Sequence, residues 1–363
     1  MYNVALIGCG KISFKHIEAL INNKNKMALI ACCDIVEKRA KEKADDYQKK
    51  VECSKVNVYS DYKKLLEIEK PEIVLVATES GNHYKITIDA LNFGANVIVE
   101  KPIALSTKHA DEMIAASKKN DKKLAVCFQN RFNKPVQMAF NALQKNRFGR
   151  IFHSMIQTRW NRNEDYYKQA NWRGTWEQDG GTLMNQCIHG IDLIQWLMQS
   201  PVKRVTGVTR RFNRPIEAED FGSAILEFEN GGVGIIEGSA CVYPKNLCET
   251  LSLFGENGSV VIGGLAVNKL EVWRFADSDI VGDTEEKILN PKELDPPNVY
   301  GFGHTALFAD FIEALDNNTK PFIDGEEGKK ALEIILAIYK SMKEGVKIEL
   351  PIDFDTKQMK NIF

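Results

Sequence analysis

The sequence predicts a doubly wound parallel α/β domain followed by an α+β domain built on a mainly antiparallel sheet. Three observations carry this. Up to about residue 130, short apolar runs rich in Val, Ile and Leu (YNVALIG, MALIACC, PEIVLVAT, ANVIVE) alternate with segments of helical spacing, the pattern of strands buried on both faces. Beyond residue 150, runs such as SAILEFENGGVGIIEGSA and ETLSLFGENGSVVIGG alternate apolar with polar residues around Asn-Gly turns, the pattern of hairpins with one covered face. Between them, Pro135 follows a strand that ends in polar residues, so the division is expected between Arg131 and Arg150. We take the domains as 1–130 and 131–363, with late helices free to return to the first.

The first strand, YNVALIG, runs into Gly8-Cys9-Gly10, and a helix with Ile12, Ile17, Leu20 and Ile21 on its apolar positions follows. MALIACC is the next strand and ends on Asp34. Strand, glycine turn, helix, strand and acid is the Rossmann arrangement: the glycines let backbone approach a pyrophosphate and the helix N-terminus turns N–H groups toward it. Ser13 stands where a third glycine is usual. A carboxylate at Asp34 accepts the adenosine ribose hydroxyls and repels a 2′-phosphate, so NAD is expected over NADP; the other reading makes Asp34 the cap of the next helix. DYKKLLEI, NHYKITIDALNFG and STKHADEMIAASKKNDKK complete the helices of this half, the second closed by Gly94.

In the second half, GTLMNQCIHGIDLIQWLMQS reads as a helix apolar on more than one face, hence largely buried. HTALFADFIEALDN and EEGKKALEIILAIYKSMKEG read as two further helices, the latter ended by Gly345.

Composition excludes several classes. The 48 Lys+Arg and 49 Asp+Glu leave a formal charge of -1, which gives no field to gather nucleic acid. No basic leader with a cleavage site and no apolar run of bilayer length is found, so a cytoplasmic protein without membrane association is expected. The eight cysteines are scattered with no CxxC pair, which reads as small buried hydrophobes, and no metal site is expected.

The residues that carry chemistry gather at strand ends. Thr78, Glu79, Ser80, His83, Glu100 and Lys101 sit at the mouths of parallel strands, the edge where ligands lie in such sheets. A lysine beside a core is costly to desolvate unless something engages its charge, so Lys101 either pairs with Glu100 or faces the reacting end of a cofactor. On the buried helix, Asn185 and His189 are four apart and expected on one side, and Asp192 follows at the third position from His189, where it could orient the ring; His189 as a packed core histidine is the competing reading. Arg159, Arg162 and Arg173, with Arg131 and Lys168, offer guanidinium and ammonium groups for phosphate or carboxylate, alongside their ordinary reading as solvated charge. Trp160, Tyr166, Tyr167, Trp172 and Trp176 can stack on a base or sugar, or anchor loops and a subunit contact.

The GCGKIS turn, ATESGNH, VEKP, FQNRF and GGTLMNQCIHGIDLIQW together resemble the glucose-fructose oxidoreductase and inositol dehydrogenase (Gfo/Idh/MocA) family over most of the chain. Asn185 stands where that family more often has Asp, and Thr78 to His83 departs from its Thr-Pro-Asn-x-x-His pattern. The segment YYKQANWRGTWEQDGGTLMNQCIHGIDLIQWLM is similar to the bacterial UDP-N-acetylglucosaminuronate 3-dehydrogenases of surface-polysaccharide (O-antigen) synthesis. The resemblance implies a homotetramer oxidising the sugar C3 hydroxyl with NAD, in some members regenerated by 2-oxoglutarate. It implies catalysis by Lys101 and His189 with Asn185 holding substrate. Cofactor contacts are implied for Gly8, Gly10, Lys11 and Ile12 in the turn, for Asp34, and for Thr78, Ser80, His83, Glu100 and Lys101 at the strand mouths. Gln129, Trp172 and Arg173 complete that set, and Arg131, Arg159, Tyr167 and Arg173 join the catalytic residues in binding substrate. Two alternatives stand beside this: an inositol or simple-sugar dehydrogenase of the same family, and a non-catalytic NAD-sensing regulator, which would need the glycine turn and Asp34 but not Lys101 and His189.

Overall fold

The computed structural model describes residues 1–52, 55–276, 301 and 303–363. Two compact units are formed, one from Met1–Cys127 with His304–Lys329, the other from Phe128–Gly303 with Lys330–Phe363.

The first unit is a six-stranded parallel sheet. Its strands are β1 (Tyr2–Ile7), β2 (Met27–Cys33), β3 (Asn57–Tyr59), β4 (Ile73–Val76), β5 (Asn96–Val99) and β6 (Leu124–Val126). Helices α1 (Ser13–Asn22), α2 (Glu37–Val51), α3 (Tyr62–Glu69), α4 (Ser80–Asn92) and α5 (Thr107–Lys119) connect them. The order β3-β2-β1-β4-β5-β6 reverses direction between β1 and β4, which opens a crevice at their carboxyl ends. All four residues of β4 and the last four of β1 are buried, as expected of strands covered on both faces.

In the second unit, α6 (Lys134–Gln144) opens with Pro135 in its first turn, and β7 (Ile151–Arg159) leads to the short α7 (Glu164–Lys168). Leu183–Cys187 winds as a π-turn and α8 (Ile188–Leu197) continues from it. Strands β8 (Val202–Arg210), β9 (Phe221–Phe228), β10 (Val233–Ser239), β11 (Cys248–Gly255), β12 (Gly258–Gly263) and β13 (Lys269–Phe275) follow. After α9 (Gly303–Asp316) and α10 (Gly325–Glu344), β14 (Ile348–Glu349) closes an eight-stranded sheet of order β13-β12-β11-β7-β10-β9-β8-β14. The sheet is antiparallel except for β7 and β10, which pair in parallel because β7 reaches β10 from a distant stretch of chain rather than through a hairpin.

Inward positions alternate with outward ones along β9 and β10. The covered face packs close: a Cβ on Gly190 of α8 would come within 2.5 Å of Ile156, and one on Gly207 of β8 within 2.7 Å of Ile338 on α10. The opposite face leaves Val208 and Ile225 exposed. Of the cysteines, Cys9, Cys32, Cys33, Cys127 and Cys187 are buried free thiols, Cys241 and Cys248 are half-buried, and Cys53 lies outside the described residues. Among the described residues, no helix is long and apolar enough to cross a membrane.

Candidate active site

In the first unit the crevice is built around Gly8 and Gly10, and the two glycines serve different ends. Gly8 has φ +95°, and a Cβ on it would meet the Ala77 carbonyl at 2.5 Å, so the protein itself requires glycine where β1 passes β4. A Cβ on Gly10 would meet nothing within 4 Å. Its bare backbone therefore leaves room for a bound group rather than for a neighbour. Ser13, in the third position of the fingerprint, is buried and donates its hydroxyl to the Gly10 carbonyl at 2.6 Å, tying the turn to α1. No side chain caps α1, although the Ser13 and Lys15 N–H groups bond to the Gly10 and Ile12 carbonyls. Lys11 is exposed and Ile12 half-buried at this turn.

Asp34 is 8% exposed, and its carboxylate accepts the N–H of Cys9 at 2.9 Å and of Val36 at 2.8 Å. It fixes the glycine turn from below and is not the cap of α2, whose N-cap residue is Val36. Arg39 Nη1 stands 4.0 Å from it. A pyrophosphate at the uncapped α1 beside Gly10 and a ribose at Asp34 is the dinucleotide arrangement, and these residues fit NAD.

At the mouths of β4 and β5, His83 is buried with Nδ1 2.7 Å from the Pro102 carbonyl and Nε2 3.1 Å from that of Thr78. It braces the two strand ends together, and burial lowers its pKa. Ser80 is buried at the first turn of α4, and Thr78 is half-buried. Glu100 does not face Lys101 with its carboxylate alone: Oε1 lies 2.9 Å from His16 Nε2 and 3.6 Å from His304 Nε2, while Oε2 accepts the Lys101 N–H at 3.2 Å. Burial pushes the Glu100 carboxyl up, but the His16 hydrogen bond and the nearby His304 ring prevail and hold it well below the usual range. Cys127 joins them, and donor atoms of His16, Glu100 and Cys127 lie within 4.8 Å of one another. Sequence reasoning placed Glu100 against the cofactor and missed this cluster, whose members come from α1, α9 and the ends of β5 and β6. Lys101 itself is half-buried just past β5.

In the second unit the π-turn sets the geometry. Five residues wound at a wider pitch shift Asn185 from the position an unbroken α-helix gives it relative to His189, so the four-residue spacing does not by itself put the two on one face. Asn185 donates to Asp179 and receives Gln186 and the Tyr166 hydroxyl, the last at 3.3 Å. Arg173 Nη1 donates to the Tyr166 hydroxyl at 2.6 Å and its guanidinium lies 4.4 Å from the Tyr166 ring and 4.6 Å from the Trp172 ring. Arg162 donates to Gln186 at 2.8 Å. Tyr166, Tyr167, Gly174, Asp179, Gly181 and Asn185 line one concavity. The Arg162 and Arg173 guanidiniums hold its Gln186 and Tyr166 walls in place. Sequence reasoning did not find Asp179 or Gln186, whose partners are set by the π-turn.

His189 stands beside this cluster, its Nε2 3.4 Å from the Gln129 amide nitrogen and its ring edge-on to Phe128. Two of the arginines expected at the substrate hold carboxylates. Arg131 is 1% exposed, gives both Nε and Nη2 to Asp192 at 2.8 and 2.6 Å, and stacks on Trp196. Arg159 forms a two-pronged pair with Glu237 at 2.8 Å across β7 and β10. Asp192, expected to orient His189, thus receives Arg131 on both oxygens.

Residues 2–128 match the NAD-binding Rossmann fold of an oxidoreductase family, and residues 141–350 match that family's C-terminal alpha/beta domain. The WlbA dehydrogenase from Bordetella pertussis, solved in complex with NADH and UDP-GlcNAcA, is 34% identical, with a TM-score of 0.87 over 97% of this chain and 98% of that one. D-glucoside 3-dehydrogenase of Escherichia coli is 24% identical over 96% of this chain and 97% of its own. Myo-inositol 2-dehydrogenase of Thermotoga maritima is 25% identical, covering 96% and 98%. Glycine turn, Asp34 and EKP strand end in one unit, the Asn185–His189 segment in the other, and both family matches agree: this chain belongs to the GFO/IDH/MocA oxidoreductase family.

Proposed function

We propose that this protein oxidises the C3 hydroxyl of UDP-N-acetylglucosaminuronate to the 3-keto sugar, with NAD, in the synthesis of a bacterial surface polysaccharide. The observation that carries the reading is the near full-length likeness to a dehydrogenase solved with NADH and UDP-GlcNAcA. NAD supplies the hydride acceptor. The chain's own residues orient the carbon and handle the proton. His189 takes the hydroxyl proton, since imidazole titrates in the neutral range, and Lys101 steadies the alkoxide as it forms. Asn185, which cannot titrate, holds the sugar. Arg173 and Tyr167 bind the acidic substrate, and Trp172 and Gln129 pack against the cofactor.

The exposed Val208 and Ile225 on the outer sheet face favour burial against a second copy, in keeping with a homotetramer. Residues 1–130 hold the cofactor and 131–363 the substrate and the subunit contacts, in the cytoplasm. A panel of UDP-sugars followed by NADH absorbance, with and without 2-oxoglutarate, tests the reading: reduction confined to the uronate supports it, and 2-oxoglutarate sustaining turnover adds cofactor recycling. The likeness to myo-inositol 2-dehydrogenase favours a second reading, free cyclitols or hexoses, which the same panel separates.

A further inference from the structure

Glu219 lies in the loop before β9 with 0% exposure, and it forms no ion pair among the described residues. Its Oε1 accepts the Leu183 N–H at 2.8 Å and the Tyr339 hydroxyl at 2.9 Å, and its main-chain oxygen accepts the Thr182 N–H at 3.0 Å. Two successive residues, Thr182 and Leu183, are therefore fastened to Glu219. Gly181 provides the space: a Cβ there would lie 1.5 Å from Glu219 Oε2, an oxygen that has no hydrogen-bond partner. Because the Asn185 N–H bonds to the Gly181 carbonyl at 2.9 Å, the π-turn that brings Asn185 and Gln186 to Tyr166, Arg162 and Arg173 starts on this anchor.

Among the described residues, no cation faces the carboxyl from any element packed on it. Tyr339 of α10, Tyr167 of α7 and Cys187 of the π-turn are its titratable neighbours. Asp220, next in the chain and also buried, receives three backbone N–H groups from residues 212 to 214 and adds negative charge. A buried carboxylate without a counter-charge is costly, whereas a neutral acid keeps both hydrogen bonds to Oε1. We infer that Glu219 is a neutral acid in the working protein and a positioning residue, whose proton keeps the Gly180–Cys187 corner, and with it Asn185, in place. Burial, against the opposing pull of its hydrogen bonds, pushes its pKa up to about 8, in agreement.

The inference rests on the role proposed for Asn185, and the test separates the two. Glu219→Gln copies the protonated acid in shape and charge, and Glu219→Ala removes the anchor. In wild-type protein with NAD and UDP-N-acetylglucosaminuronate, kcat should fall about tenfold per pH unit above about 8. Glu219→Gln should turn over near the wild-type neutral rate and lack that fall, while Glu219→Ala loses kcat at all pH values. Tyr339→Phe, which removes a donor favouring the ionised form, should move the fall to higher pH. Infrared difference spectra of wild type against Glu219→Gln should show a protonated-carboxyl carbonyl band at neutral pH that vanishes in alkali. Absence of that band at neutral pH, or an alkaline fall unchanged in Glu219→Gln, overturns the inference. If the sugar nucleotide is not turned over, the functional proposal fails and the infrared band still decides Glu219.

Discussion

Replacing Asp34 with Ala tests the cofactor site through two readouts at once. The carboxylate accepts the N–H groups of Cys9 and Val36. Hydrogen bonds to a charged group are worth about 1.5–3 kcal/mol each, but the two losses differ. Val36 is 42% exposed, so water can replace the carboxylate there; Cys9 is 3% exposed, and its N–H would stay buried without a partner. The Cys9 side dominates, and we expect a loss of about 2–3 kcal/mol in unfolding free energy, read as a lower urea midpoint at unchanged slope. Asp34→Asn, which keeps an acceptor oxygen, should lose about half of that. For the cofactor, losing one charged acceptor of the ribose hydroxyls weakens NAD about tenfold to a hundredfold. NADP should tighten at the same time, because the repelling carboxylate is gone and Arg39, 4.0 Å from it, becomes available to a 2′-phosphate. Dissociation constants for both cofactors by fluorescence quenching, with urea denaturation alongside, give both answers. An unchanged midpoint refutes the packing argument, and a wild-type preference for NAD in Asp34→Ala refutes the assignment of the acid to the ribose.

Lys101→Met and His189→Asn should each keep NAD affinity and lower kcat about 10²-fold or more, the usual contribution of a placed proton-transfer group; loss of cofactor binding in either would argue for a structural role. Arg131→Met and Arg173→Met should separate support from binding: the first removes the guanidinium paired with buried Asp192 and costs about 3–5 kcal/mol of stability, while the second raises KM with little change in urea midpoint. For Glu219, whose folded pKa rises from 4.5 to about 8, the native state binds more protons than the unfolded chain across that window, so its stability contribution is full below 4.5 and lost as pH climbs to 8. Glu219→Gln should escape this loss and gain on wild type by roughly 4 kcal/mol between pH 5 and pH 9, measured by thermal or urea unfolding at each pH.

The parallel strands were legible because burial on both faces writes itself as unbroken apolar runs, and Asp34 was legible because its place after β2 follows from chain order. Alternation and the Asn-Gly turns likewise announced the hairpins β9–β10 and β11–β12. What escaped was set by partners far apart in sequence. Nothing local shows that Glu100 also meets His16 and His304, or that Arg131 is held by Asp192. The parallel pairing of β7 with β10 depends on a connection longer than any hairpin signal. The π-turn at Leu183–Cys187 was invisible for a different reason: over five residues an all-round apolar pattern fits either helical pitch.

The most direct test of the proposed reaction is the structure of its product. Incubation of the protein with NAD and UDP-N-acetylglucosaminuronate, followed by mass spectrometry and NMR, should show loss of two hydrogens and a carbonyl at C3, with one NADH formed per sugar oxidised when no second oxidant is present. Oxidation at another carbon, or NADH formation only with free inositols or hexoses, would contradict it.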